Sequence, residues 1–214
     1  MMNIAIIGAS GFIGSALREE ALSRGHSVTA FASRPERLEP QPGLSILKAD
    51  VQETTALSEQ LKGFDAVLSA FSGHAQTDVK GYFESGFDSI LTAANAADAK
   101  RLMVVGGAGS LEVAPGVQLI DTPEFPAEYK ATAEGARYAL NALRGQQGVN
   151  WTMLSPAAMI APGERTGQYQ LGSDQLLTDA EGNSRISVED YAKAMIDELE
   201  ASAHVNQRFT LAYA

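Results

Sequence analysis

Three glycines at a regular spacing, Gly8, Gly11 and Gly14, are the first residues in this chain whose type and placement imply chemistry. They stand where an apolar run, Asn3 to Gly8, gives way to a helical pattern, Phe12 to Arg24. The loop Gly8-Ala9-Ser10-Gly11-Phe12-Ile13-Gly14 therefore turns a strand into a helix. At such a junction, backbone N–H groups and the positive end of the helix can meet a pyrophosphate. Side chains at the first two glycines would collide with the phosphates, and one at the third would push the helix off the sheet. The spacing in this context predicts a dinucleotide cradle made of Gly8, Ser10, Gly11, Phe12, Ile13 and Gly14.

The kind of dinucleotide is decided after the second strand, Ser27 to Ala32, where an acidic residue usually accepts the ribose hydroxyls of NAD. Here the chain reads Ser33-Arg34-Pro35-Glu36-Arg37. Arg34 supplies a planar fork of donors suited to a 2′-phosphate, with Ser33 adding a hydroxyl and Arg37 a second charge. NADP(H) is the expected ligand, with NAD(H) as the alternative if both arginines are merely solvated and offset by Glu36 and Glu39. Asp50-Val51 follows the third strand and Ala70-Phe71-Ser72-Gly73 the fourth, both at the carboxyl edge where parallel sheets bind ligands, so Asp50, Val51, Ala70, Phe71 and Ser72 join the expected cofactor contacts. Asp50 could also cap a helix beginning near Glu53.

The elements that must hold these residues alternate along the chain. Strand-like runs recur at Leu44 to Lys48, Asp65 to Ala70, Leu102 to Gly106 and Trp151 to Leu154, with helical stretches near Thr54 to Lys62, Tyr82 to Ala97 and Ala127 to Leu143. Alternation with right-handed crossovers predicts an α/β fold, a doubly wound parallel sheet in three layers, spanning residues 1 to 214 as one Rossmann domain. After Ser155-Pro156 turn-rich segments predict a small substrate-side subregion over about residues 156 to 190. Ser187-Val188-Glu189-Asp190 has the pattern of a helix start, and Arg208 to Tyr213 reads as a final edge strand. Trp151 and the methionines Met103, Met153, Met159 and Met195 read as core.

Composition narrows the function classes. A chain without cysteine has neither disulfides nor thiolate chemistry, and His26, His74 and His204 lack ligand spacing, so no metal site is expected. A net charge of −10 disfavours nucleic acid. The absence of a basic signal-peptide start or a long apolar run predicts a soluble cytoplasmic protein with no membrane association. A homodimer is compatible with the sequence.

These residues resemble the short-chain dehydrogenase/reductase superfamily, in its atypical NAD(P)H-binding branch that includes NmrA-like proteins and the NADH-flavin reductase group. The glycine spacing and Asp50-Val51 are that superfamily's form. The segments Val104 to Leu111, Pro162 to Gly167, Ser187 to Ala192 and Arg208 to Thr210 are similar to the flavin reductase group. The resemblance implies Gly106 and Gly107 as further cofactor-binding positions; the candidate catalytic residues are Ser110, which lies beyond the fifth strand where it could hydrogen-bond an acceptor or the nicotinamide, and Tyr129, which could serve as an acid. Read by themselves, Ser110 is equally a turn serine, Tyr129 half-buried packing, His74 a solvated loop residue, and Glu164-Arg165 either an anion clamp or a local pair.

One departure from the superfamily redirects the chemistry. Its dehydrogenases use a Tyr-x-x-x-Lys pair, and the six lysines here, at 48, 62, 80, 100, 130 and 193, are preceded four residues earlier by Leu, Ser, Gln, Ala, Pro and Glu. Alcohol or carbonyl chemistry, and sugar-nucleotide epimerisation, lose their proton-handling pair. A flavin or quinone can take its accompanying proton from water, so a small planar electron acceptor fits the missing pair, with flavin as substrate. The alternative is a non-catalytic sensor of NADP(H), as the NmrA-like resemblance permits.

Overall fold

Alternation along the first strand sets the architecture. In the computed structural model, which describes residues 1–74 and 76–214, β1 (Asn3–Ile7) buries Ile4 and Ile6 in one apolar cluster and Ala5 and Ile7 in another. A strand that is apolar on both faces must lie inside a sheet covered on both sides. The chain continues through α1 (Phe12–Ser23), β2 (Ser27–Ala32), β3 (Leu44–Lys48), α2 (Thr54–Gln60), β4 (Ala66–Ser69), α3 (Val79–Ala96) and β5 (Leu102–Val105). Then come β6 (Glu112–Ala114), β7 (Val117–Gln118), α4 (Ala127–Gly145), β8 (Trp151–Ser155), β9 (Met159–Ala161), β10 (Gln170–Gly172), β11 (Arg185–Ser187), α5 (Val188–Ala201) and β12 (Gln207–Ala212). The main sheet runs β10-β12-β8-β5-β4-β1-β2-β3, parallel throughout except at β10. This is the expected three-layer Rossmann fold. One cluster takes Leu17 of α1 and Tyr191 and Met195 of α5; the other takes Leu57, Phe87, Ile90 and Leu140 from α2, α3 and α4.

Strand order reverses between β1 and β4, because β2 and β3 lie on one side of β1 and β4, β5, β8 and β12 on the other. Loops leaving β1 and β4 must part there in opposite directions, which opens a crevice at the carboxyl edge. Two sequence expectations change in the fold. The strand expected at the edge, β12, is interior, because β10 pairs with it antiparallel from Gln170↔Ala212 to Gly172↔Thr210. A three-residue strand set among turns carries too little periodicity to be seen in advance. Met103, Met153, Met195 and Trp151 are buried as expected, whereas Met159 is 70% exposed. Among the described residues no helix is long and apolar enough to cross a membrane.

The start of α5 shows how the C-terminal loops are fixed. Ser187 caps the helix, its hydroxyl accepting from Asp190 N at 3.0 Å. Asp190, fully buried, accepts in turn from Thr166 N (3.2 Å), Thr166 Oγ1 (2.6 Å), Gly167 N (2.7 Å) and Tyr213 Oη (2.9 Å). Burial by itself would raise the carboxyl's pKa, but the donors from Thr166, Gly167 and Tyr213 outweigh it and hold the group below the ordinary carboxylate range. A depressed pKa means that the stabilisation is complete above the unfolded value of about 4 and is lost as pH falls through the lower folded value. Asp190→Asn should therefore destabilise by about 1–3 kcal/mol at neutral pH and flatten the acid limb of thermal stability against pH. An acid limb identical to the parent's would refute this assignment.

Candidate functional site

The loop after β1 reaches its shape through backbone contacts that leave no room for side chains. Gly8 has φ +80°, and a Cβ there would come 2.5 Å from Ala70 O, so the ends of β1 and β4 touch through a glycine. A Cβ on Gly14 would lie 2.1 Å from Gly8 O, which places α1 directly against the turn that precedes it. The turn closes with Gly11 N donating to Gly8 O at 3.0 Å. Arg18, on the second turn of the helix, donates to Ala9 O at 3.2 Å and braces the loop from behind. Gly11 is the N-cap of α1 and has no side chain to occupy the free N–H groups of the first turn. The cradle fits a pyrophosphate: the first-turn amides after Gly11 are free, and the space a Cβ would fill is left by glycine.

Three cavities follow one another along this edge. The first, about 510 Å³, lies over the β1 and β2 ends and is lined by Gly8, Ser10, Gly11, Ser33, Arg34, Asp50, Val51, Phe71 and Ser72, with Gln76 and Tyr82. The second, about 240 Å³, shares Phe71 and Ser72 with the first and adds Phe12, Ile13, Ala70, Gly73, His74, Val79, Phe83 and Val105. Gly106, Thr132 and Ala136 belong to both the second cavity and a third of about 490 Å³. The third is walled by Gly107, Phe125, Pro126, Tyr129 and the segment Pro156 to Ile160. Phe71, which stands between the first two, is backed by a stack through Phe83 (5.7 Å between centroids) to Phe87 (6.1 Å) in the core. The cleft wall is thus continuous with the hydrophobic core, which favours a preformed site.

Most sequence-predicted positions meet in this cleft, and two, Arg37 and Ser110, do not act as expected. Gly14 lines none of the cavities and stands behind the cleft in the packing role expected of the third glycine, by letting α1 pack. Arg37 lies outside the cleft, because the turn Pro35–Arg37 carries it away while Arg34 remains at the rim. Ser110 is 2% exposed, lines no cavity, and accepts from Arg208 at 3.3 Å; Arg208 also reaches Ser155 and pairs with Asp174, just after β10. Ser110 is therefore a pin between β5, β8 and β12 and not a group that meets a substrate. Tyr129 does line the third cavity, at 61% exposure, so it is not packed in the core.

Other side readings resolve by geometry. Among the described residues Arg34 and Arg37 have no ion-pair partner, so Glu36 and Glu39 do not offset them. Asp50 does not cap α2, whose N-cap is Glu53; its Oδ1 accepts from Gln52 N at 3.0 Å and shapes the turn. Arg165 neither pairs locally nor faces the cleft, but grips Glu20 of α1 through two bonds of 2.7 and 2.8 Å. His74 lies at the second cavity, its Nε2 3.4 Å from Thr132 Oγ1.

Sequence reasoning missed Tyr82, Gln76, Val79, Phe83, Thr132, Ala136, Phe125 and the Pro156 to Ile160 wall. Thr132 and Ala136 carried a faint signal, being small residues four apart on one face of α4. Among the described residues no group of three or more His, Asp or Glu side chains could hold a metal ion.

Comparison with known proteins finds relatives that cover nearly the whole chain. The model of a family described as NAD(P)H-binding matches residues 8–202. The protein YwnB of Bacillus subtilis, described as uncharacterized, is 46% identical over 213 residues, covering 98% of each chain. A Streptococcus pneumoniae protein described as a candidate NADH-flavin reductase superposes with TM-score 0.88 at 37% identity, covering 100% of both chains. A Bacteroides thetaiotaomicron protein described as a candidate epimerase superposes with TM-score 0.92 at 43% identity, covering 99% of this chain and 97% of the other.

Proposed function

We propose that this chain, which belongs to the NAD(P)H-binding family, is an NADPH-dependent reductase of a planar organic acceptor such as a flavin or a quinone. The observation that carries this reading is the continuity of the three cavities: a cradle with an anion-seeking rim at one end, a narrow middle, and an apolar chamber at the other end. NADPH supplies a hydride, so NADPH, acceptor and one solvent proton become NADP⁺ and the two-electron-reduced acceptor. Ser33 and Arg34 bind the 2′-phosphate, the free amides after Gly11 bind the pyrophosphate, and Phe71 with Ile13 confines the middle of the cofactor. Gly106, Thr132 and Ala136 keep the passage to the third cavity narrow, so that two flat rings placed on either side of it are held in contact and orientation.

An epimerase reading, as described for the Bacteroides relative, fits this chain less well. No tyrosine here has a lysine four residues on, and the third cavity's walls of Pro, Ala, Met, Ile and Phe offer few groups for sugar hydroxyls. Purified protein should oxidise NADPH when riboflavin or a small quinone is supplied. Absence of turnover across such acceptors, with NADPH binding intact, would favour the sensor reading instead.

Two substitutions separate the ends of the cleft. Hydrogen bonds to charged groups contribute about 1.5–3 kcal/mol, so Arg34→Ala should weaken NADPH binding by about ten- to a hundredfold. NADH, lacking the phosphate, should change by less than about twofold. Equal losses for both nucleotides would contradict the assignment. Ala136→Leu keeps a good helix former on α4 and puts bulk in the passage. NADPH affinity should stay within about threefold, while kcat/KM for the acceptor should fall by about ten- to a hundredfold as the rings are forced apart.

A further inference from the structure

The charges along the cleft are unevenly placed. Arg34 stands at the first cavity and His74 at the second, but among the described residues no Lys, Arg or His lines the third. Its one carboxylate is Glu124, exposed on the segment that leads into α4. The neighbouring guanidinium on α4, Arg137, is held by Asp121 and Glu134 at 2.9 and 2.7 Å, and Lys130 is not part of the lining. The chain as a whole carries a net charge of −10. An anionic group entering this chamber would find no cation to pair with and a carboxylate at its mouth, inside a negative long-range field. The rim instead offers exposed apolar surface: Met159 at 70% and Tyr129 at 61% exposure, with Phe125 beside them. Flat aromatic rings stack on such side chains.

We infer that the third cavity selects an acceptor without phosphate, an uncharged planar ring such as the unphosphorylated flavin riboflavin or a simple quinone, and that Glu124 with the absence of cations rejects phosphorylated flavins. This inference rests on the reductase reading for its turnover but not for its binding. Riboflavin and FMN share one ring system and differ by the phosphate, so comparing them isolates the charge.

The test measures both flavins with the NADP⁺-loaded protein by quenching of flavin fluorescence, and separately as acceptors in steady-state NADPH oxidation. Riboflavin should bind about five- to tenfold more tightly than FMN at low ionic strength, and the ratio should shrink as salt screens the exposed carboxylate. Glu124→Lys should bring the ratio to one or invert it while Glu124→Gln narrows it. FMN binding as tightly as riboflavin, a ratio insensitive to salt and to Glu124→Lys, or failure of riboflavin to bind overturns the inference. Preferential riboflavin binding without turnover upholds it and removes the reductase reading, whereas turnover with FMN preferred does the reverse.

Discussion

A Gly14→Ala chain is expected to lose nicotinamide dinucleotide binding by more than about a hundredfold, since disturbing two or more charge-assisted hydrogen bonds removes roughly 3 kcal/mol or more. The added Cβ would lie 2.1 Å from Gly8 O, a backbone atom that cannot rotate away, where ordinary contact begins at 3.4 Å. Either α1 or the turn must move by more than an ångström, and both carry the amides that face the cradle. Overpacking of this kind also costs about 1–3 kcal/mol of stability. Gly145, at the end of α4, has open space around its missing Cβ and supplies the control: Gly145→Ala should leave binding unchanged and be neutral or slightly stabilising. Titration of NADPH into the two variants checks this, and Gly14→Ala affinity within threefold of the parent would show that the close approach does not position the loop.

The second large effect lies far from the cleft. Arg101, immediately before β5, and Glu198, on α5, are both buried, with Nη2 2.5 Å from Glu198 Oε1. Arg101 also donates to Thr152 Oγ1 at 2.8 Å, while Glu198 accepts from His204 N at 2.9 Å. The Nε–H of Arg101 has no partner among the described residues, so the site has no spare acceptor. Glu198→Gln leaves a guanidinium buried without its counter-charge and should cost about 3–5 kcal/mol. At about 2–4 °C per kcal/mol for a chain of this size, Tm should fall by roughly 6–20 °C. Replacing both partners, Arg101→Met with Glu198→Leu, removes the buried charge altogether and should recover most of the loss. A Glu198→Gln protein melting within a degree or two of the parent would mean that water already reaches the pair.

How far the site can be read from the sequence depends on how its parts are connected along the chain. The cradle is legible because one local segment makes it: a strand, a tight turn and a helix, each with its own residue signature between Asn3 and Ser23. Arg34, Asp50 and Phe71 are legible for a related reason, since each follows a strand whose carboxyl end must lie on the ligand edge. The third cavity is not local. It joins the end of β5, the entry and first turns of α4, and the residues after β8, three segments that only the crossover connections bring together. Ser110 shows the opposite failure. Its position after β5 is that of a site residue, yet the guanidinium of Arg208, 98 residues away, draws its hydroxyl into the interior.

The amino-acid sequence by itself determined the Rossmann layering, the glycine cradle, the arginine that follows β2 and the lack of a Tyr-x-x-x-Lys pair, because periodicity and spacing record what neighbouring residues must do. Only the tertiary structure decided that β12 is interior, that Arg37 and Ser110 leave the site, and that Thr132, Ala136, Glu124 and Met159 enter it. Those outcomes depend on which side of a strand or helix faces a partner distant in sequence. That choice is made by packing and by buried charge pairing across the whole fold, which no local pattern contains.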